Sequence, residues 1–329
     1  MRAPDFWTGD GSGIAPFLLS PFAALYAAAT ARRVARPGWR APVPVICCGN
    51  ATAGGAGKTG LALDIGMRLA NRGVAVHFLT RGYGGTLRGP VRVEPGRHDS
   101  KAVGDEALLL AAERPTWVAA DRAAGARAAI EAGAQALVMD DGLQNPTLEK
   151  DLSLLAIDGS YGFGNGRVIP AGPLREPVAA AVSRAQAAVL MGADECGALA
   201  QLPPGMPVLR ARTVPGPEAA QLAGQAVFAF CGIANPRKFF TTLSEARAII
   251  AGRAAYADHY PYDAGDMREL LAEADRLRAI PVTTRKDFVR IPPAFRARVT
   301  VVTVTLAWDE PARLEAMLDP LAARVPVPA

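Results

Sequence analysis

Lys58 and Thr59 close the stretch Gly-Asn-Ala-Thr-Ala-Gly-Gly-Ala-Gly-Lys-Thr-Gly, residues 49–60, and their types and spacing suit phosphate chemistry. A P-loop curls consecutive backbone N–H groups around the β- and γ-phosphates, pairs them with a lysine ammonium and offers a Ser or Thr hydroxyl to magnesium. Gly54, Gly55 and Gly57 supply the permissive backbone, Lys58 the charge and Thr59 the hydroxyl. The pattern G-x-x-x-x-G-K-[ST] asks for glycine where Thr52 stands, but none of the groups that do the chemistry is lost. Residues Thr52, Ala53, Gly54, Gly55, Ala56, Gly57, Lys58 and Thr59 are therefore the expected ATP contacts. A second group of chemically competent residues lies at Asp140-Asp141, where an apolar run, 136–139, ends in acid. Downstream of a P-loop this is the Walker B arrangement, in which a carboxylate holds Mg2+ directly or through water.

These groups need a strand before the loop, a helix after it and a parallel sheet beneath. Val43 to Cys48 reads as a buried strand and Leu61 to Ala70 as a helix whose N-terminus faces the anion. Residues 74–79 form a further strand, ending in Arg81-Gly-Tyr-Gly-Gly85 at the end of the sheet where α/β proteins bind ligands. Gly104-Asp105-Glu106 opens a helix, a position where an acid serves as an N-cap without any catalytic duty. Strands follow near Trp117 and at 136–139, 152–158 and 187–191, the last two separated by a proline-stiffened loop, 166–177, that presents Arg175 and Glu176. Prolines at 203–204, 215 and 217 mark a boundary, after which strands 226–231, 251–256, 280–284 and 299–306 alternate with helices near 236–247 and 264–278. The expected fold is α/β: a P-loop NTPase-like N-terminal lobe with a parallel sheet, residues 41–215, and a smaller α/β C-terminal lobe, residues 216–329, with a cleft between them.

The chain has 329 residues, half of them hydrophobic, enough for two cores. Its net charge of +5 comes from scattered arginines rather than from a basic stripe interleaved with aromatics, so no nucleic-acid partner is expected. Cys47, Cys48, Cys196 and Cys231 lack metal-ligand spacing and read as reduced core residues. From Ile14 to Thr30 the chain is nearly all apolar or small, with Ile14, Phe17, Leu18, Phe22 and Leu25 on one helical stripe and Arg32, Arg33, Arg36 and Arg40 after it. It is short for a membrane span and carries Pro16 and Pro21, and Asp5 precedes it where a signal peptide would be basic. Two readings remain, a helix on the protein's own core and a helix dipping into a bilayer interface.

Taken together, these motifs resemble the tetraacyldisaccharide 4′-kinase family, which phosphorylates a membrane-embedded acylated glucosamine disaccharide in lipid A biosynthesis. The family's phosphate loop likewise reads G-N-x-T-x-G-G-x-G-K-T, so Thr52 belongs to the pattern. Also matching are Arg81 to Gly85, Gly104-Asp105-Glu106, Asp140-Asp141-Gly142 with Gln144, Pro170 to Pro177, Phe230 to Ile233 with Asn235-Pro236, Asp258-His259, and Thr283-Thr284 with Lys286-Asp287. Asn145, Ala107, Ala234 and Arg285 depart from the residues usual in the family.

The resemblance implies catalysis by Asp105 as base, His259 as its partner and Lys58 as γ-phosphate cation. It places the metal with Thr59, Asp140, Asp141 and Glu176, and the substrate against Asn50, Arg81, Gln144 and Arg175. ATP and Mg2+ are the expected cofactors. The expected partners are the acylated disaccharide lipid and the cytoplasmic face of the inner membrane, where residues 1–40 associate peripherally; no obligate protein partner is evident. The alternative is a P-loop switch ATPase or GTPase of the metal-delivery or partitioning type. That reading calls for N/T-K-x-D, where this chain has Thr284-Arg-Lys-Asp287, or for a signature lysine where it has Ala53.

Overall fold

Strand β1 (Val45–Gly49) is apolar at every position because both of its faces are covered. Ile46 and Cys48 point into one core with Leu61, Ile65 and Leu69 of the helix Lys58–Ala70, while Val45 and Cys47 point into another with Leu137, Met139 and Ala126. The computed structural model describes residues 4–9 and 11–325. The further strands are β2 (Val76–Thr80), β3 (Val91–Arg92), β4 (Thr116–Val118), β5 (Ala136–Asp140), β6 (Leu152–Asp158), β7 (Ala187–Met191), β8 (Val208–Pro215), β9 (Ala226–Cys231), β10 (Ile249–Ala255), β11 (Ile280–Thr284), β12 (Thr300–Val302) and β13 (Val304–Trp308).

They form two sheets. The nine-stranded one runs β13-β8-β7-β6-β1-β5-β2-β4-β3 and is parallel except at its two edges, where β13 and β3 are antiparallel. The four-stranded sheet, β10-β9-β11-β12, is parallel throughout. With β1 central, the phosphate loop and the end of β5 lie side by side at the carboxyl edge of the larger sheet, where crossover connections leave room for a ligand.

The C-terminal lobe expected at 216–329 is not continuous. The strand expected at 299–306 breaks at Thr303: β12 completes the smaller sheet and β13 returns to the larger one. The two crossings lie together, since Gly216 N–H donates to Thr303 O at 2.9 Å and Thr303 N–H donates to the Glu218 carboxylate. The final helix, Pro311–Ala322, then buries Leu314, Leu318 and Leu321 in the same core as the phosphate-loop helix. Arg68 and Arg72 pair with Glu315, Arg72 reaches Asp319 at 2.9 Å, and Trp308 Nε1 donates to Asp64 at 3.0 Å. Residues from 304 onward thus brace the P-loop helix and belong with the larger lobe.

The N-terminal helix runs Ile14–Val34, longer than the apolar stretch suggests, because Pro16 falls in the first turn, where no intrahelical N–H is needed, and Arg32-Arg33 continue it. It is not a core helix: Ile14, Phe17, Leu18, Phe22 and Leu25 are each more than 60% exposed. Its inner face is held by Arg167 donating to Ser20 Oγ at 3.0 Å, and the preceding segment docks through Trp7 Nε1 to Pro170 O at 3.1 Å. Of the four cysteines, all free, Cys196 is exposed rather than in the core, because it sits in the polar turn after β7.

Candidate active site

The phosphate loop turns into its helix at Gly57, whose φ of 76° is a left-handed conformation that glycine adopts without penalty. The loop does not stand alone. Ala53 N–H donates to Pro173 O and Arg175 N–H to Ala51 O, both at 2.7 Å, so the proline-stiffened block at 170–177 is bonded onto it like a short antiparallel strand. Lys58 Nζ donates back to Gly54 O at 3.2 Å and lies 3.9 Å from Asp141 Oδ2. Burial lowers its proton affinity, against the pull of Asp141. Asp141 itself adopts φ 59°, a strained backbone for a non-glycine, and Arg175 Nη1 grips both of its oxygens at 2.7 and 2.9 Å. Burial works against ionisation of Asp141, yet Lys58 and Arg175 outweigh it and hold its pKa below the usual range.

Asp140 is the opposite case. It ends β5 in full burial, accepts from Thr59 Oγ1 at 2.8 Å through Oδ2, and leaves Oδ1 buried without a partner. Burial pushes its pKa up to about 7, despite Lys58 and Thr59. A hydroxyl beside an orphaned, desolvated carboxylate oxygen suits a hard divalent cation, and Thr59 with Asp140 fits one better than Asp141, whose oxygens are taken by Arg175. The raised pKa carries a stability consequence. Between the ordinary carboxyl pKa and about 7 the native state binds more protons than the unfolded chain, so the ligand-free protein loses stability as pH rises through that window. Asp140→Asn keeps the oxygen that Thr59 needs and removes the buried charge. The expected result at pH 8 is a higher melting temperature than wild type, by on the order of a few kcal/mol of stability, with phosphoryl transfer lost. A lower melting temperature at pH 8 would contradict the burial argument.

Across from these acids, Asp105 and His259 meet. Gly104, at φ 86°, passes so close to Tyr83 O that a Cβ would stand 2.3 Å from it, and this contact seats the helix Asp105–Ala111 on the Arg81–Gly85 loop. Asp105 does not cap that helix. Its Oδ2 lies 2.7 Å from His259 Nδ1, in the other lobe, and 3.2 Å from Arg290 Nε. His259 also sits in the left-handed region, φ 60°, its N–H donating to Gly232 O at 3.1 Å. The hydrogen bond to Asp105 raises the His259 pKa, with burial and Lys286 opposing. Lys286 Nζ lies 3.3 Å from His259 Nε2 and 3.2 Å from Glu106, whose charge acts in turn on Lys58 and Asp140. The pair is thereby linked to the phosphate site through Lys286 and Glu106.

Not every residue expected in the site belongs to it. Both Glu176 oxygens are taken by Arg184, at 2.5 and 2.6 Å, and one also accepts from Gln144 Nε2 at 2.8 Å, which removes Glu176 from the metal set and makes it a buried brace. Asn50 is fully buried and donates to Thr52 Oγ1 at 3.0 Å, a bond that shapes the phosphate loop, while its Oδ1 has no partner. Gln144 ties the two together by donating to Asn50 O at 2.9 Å. Arg81 is exposed. Two arginines went unmarked in the sequence reading: buried Arg122, which donates to Ala119 O and, at 3.2 Å, to Asp141 O, and Arg290. Lys286 stood inside a recognisable motif but carried no role. No local pattern marks Arg122, whose partners lie on two other strand ends.

The chain is similar to known proteins along nearly its whole length. The family model described as LpxK, tetraacyldisaccharide-1-P 4′-kinase, matches residues 15–323. A tetraacyldisaccharide 4′-kinase of Gluconacetobacter diazotrophicus is 57% identical over 319 residues, covering 97% of this chain and 98% of its own. Another, from Rhodospirillum rubrum, is 54% identical, with 98% of each chain covered. Among solved structures, LpxK from Aquifex aeolicus in complex with ATP superposes with a TM-score of 0.74 over 94% of this chain and 99% of that one, at 24% identity, a likeness of fold.

Proposed function

The chain belongs to the tetraacyldisaccharide-1-phosphate 4′-kinase family, and from that premise we propose how its site transfers the γ-phosphate of ATP to the 4′-hydroxyl of the tetraacyl disaccharide 1-phosphate in lipid A biosynthesis. The observation that carries the reading is the 2.7 Å contact between Asp105 and His259, a carboxylate–imidazole pair in a chain that also carries a lysine-tipped phosphate loop. Phosphoryl transfer needs in-line placement of a hydroxyl, neutralisation of the γ-phosphate and a group to take the hydroxyl proton. Asp105 takes that proton, and His259 orients the carboxylate and shares the charge. Lys58 pairs with the γ-phosphate once nucleotide draws it from Gly54 O. Arg175 holds Asp141, which keeps the lysine aimed. Magnesium, brought with ATP, would be held by Thr59 and Asp140 and would neutralise charge on the transferred group. ATP turnover measured in detergent with and without the acylated disaccharide 1-phosphate tests the reading: turnover should require the acceptor, and full-rate hydrolysis in its absence would favour a switch NTPase.

A lipid acceptor also gives the N-terminal helix a purpose. Its 21 residues span about 31 Å at ~1.5 Å per residue, it meets the hydropathy and length of a membrane-crossing segment, and little of it is buried. Because Ser20, Ala23 and Thr30 face the protein along its length, we place the helix in the plane of the cytoplasmic interface, with Phe17, Leu18, Phe22 and Leu25 in the acyl region and Arg32, Arg33 and Arg36 at anionic head groups. Replacing those four apolar residues by Ser should move the protein from vesicle-bound to soluble in flotation and raise KM for micellar acceptor, with ATP binding and melting temperature little changed since the side chains are exposed. Undiminished flotation of the folded variant would remove this helix from membrane binding.

A further inference from the structure

We infer that Arg290 is a positioning residue that holds both members of the Asp105–His259 pair in register; the inference rests on the reading of that pair as the proton acceptor. Arg290 is almost wholly buried, and its guanidinium donates hydrogen bonds to four oxygens, one of them Lys286 O from Nε at 3.3 Å, besides its ion pair with Asp105. Nε lies 3.2 Å from Asp105 Oδ2, in the larger lobe. Nη1 donates to Tyr260 O at 2.9 Å, the carbonyl one residue beyond His259. Nη2 donates to Gly232 O at 3.0 Å, the same carbonyl that receives the His259 N–H. Nη2 also donates at 3.0 Å to Asp287 Oδ1. One planar fork thus ion-pairs with the carboxylate of the base and grips the carbonyl that anchors the His259 N–H together with the carbonyl next along the chain.

The fork is itself immobilised. Asp287 is fully buried, its Oδ1 accepting from Gly232 N–H at 2.6 Å and from the Tyr262 hydroxyl at 3.0 Å, and its Oδ2 from Thr284 Oγ1 at 2.5 Å. Asp287 balances the arginine charge inside the smaller lobe, so that a cation can be presented at the lobe boundary without being left unpaired. The need for such a clamp follows from His259. A residue held at φ 60° relaxes toward the ordinary regions unless its surroundings determine it, and Arg290 grips both the carbonyl that receives the His259 N–H and the carbonyl of the next residue, Tyr260. A lysine would keep the charge but could not reach all of these oxygens with the geometry of the fork.

Two variants test this. Arg290→Gln should lower kcat by about 10², the cost of a misplaced catalytic group, with KM for ATP changed by less than about twofold, because the phosphate loop lies in the other lobe. Placed on Asp105→Asn, the same change should cost under about threefold more, because the group being positioned is already disabled. Arg290→Lys, which keeps a buried cation beside Asp287 and so guards against loss of fold, should remain about tenfold slow. ATP binding by each purified variant confirms that it is folded. Wild-type kcat in folded Arg290→Lys, or full multiplication of the Gln loss on Asp105→Asn, would overturn the positioning role. Unimpaired turnover by Asp105→Asn alone would instead sink the reading of the pair, a result visible before any Arg290 variant is made.

Discussion

Lys58→Ala should lose phosphoryl transfer by at least about 10²–10³ in kcat while the protein stays folded. Lys58 is the cation closest to where the loop would hold a γ-phosphate, and the site around it is desolvated enough to lower its proton affinity. An ionic contact in such surroundings is screened far less than one in water. Stability should hardly fall, because burial of the ammonium is itself unfavourable and because Asp141 retains both contacts with Arg175 when the lysine is gone. Steady-state kinetics with a melting curve checks the pair of outcomes. Near-normal kcat would mean that the loop does not hold the transferred phosphate.

Loss of Asp105 should be of similar size but of different character. General-base help is worth about 10²–10⁴ in rate, so Asp105→Ala should lower kcat by that order with little effect on ATP affinity. Because the Asp105 side chain reaches His259 and Arg290 instead of capping its own helix, Asp105→Asn should be nearly as slow as Ala, whereas a cap would tolerate Asn. The double variant with His259→Ala should be little worse than the poorer single one, since the two act as a unit. The pair also carries a pH signature. His259 has its folded pKa raised by Asp105, so its contribution to stability is fully present below the unfolded histidine value and is lost as pH rises through the folded one. Asp105→Asn should flatten that part of the stability profile. Multiplicative losses in the double variant would point to two independent roles.

What could be read in the sequence followed the range of each interaction. Lys58, Thr59 and Asp140 were legible because a strand, a turn and a helix adjacent in sequence fix their geometry, and the continuous apolar runs of β1, β5 and β6 identify strands buried on both faces. Asp105 and His259, 154 residues apart, could be joined only through the family resemblance, since nothing local says that two lobes meet there. Arg290 and Arg122 escaped for the same reason, an arginine being ordinarily a surface residue until its partners are known. Glu176 was misread because an Arg-Glu pair at the end of a stiff loop reads as two presented side chains. In the fold one faces Asp141 and the other turns inward to Arg184, eight residues on. The bracing of the phosphate loop by Asn50 was not legible because a polar residue there can hold the loop as well as bind a ligand. The break at Thr303 was invisible because a run of β-branched residues has the same pattern whether it serves one sheet or two.

This fold delivers the γ-phosphate of ATP to a sugar hydroxyl rather than to water. The most direct test is to supply γ-labelled ATP and the tetraacyl disaccharide 1-phosphate to the purified protein in detergent and to locate the label by phosphorus NMR and fragmentation of the lipid. The account predicts one labelled phosphomonoester at the 4′ position for each ADP formed, with the signal lost in Lys58→Ala and Asp105→Ala. Label recovered only as inorganic phosphate, or a lipid left unmodified while ADP accumulates, would contradict it.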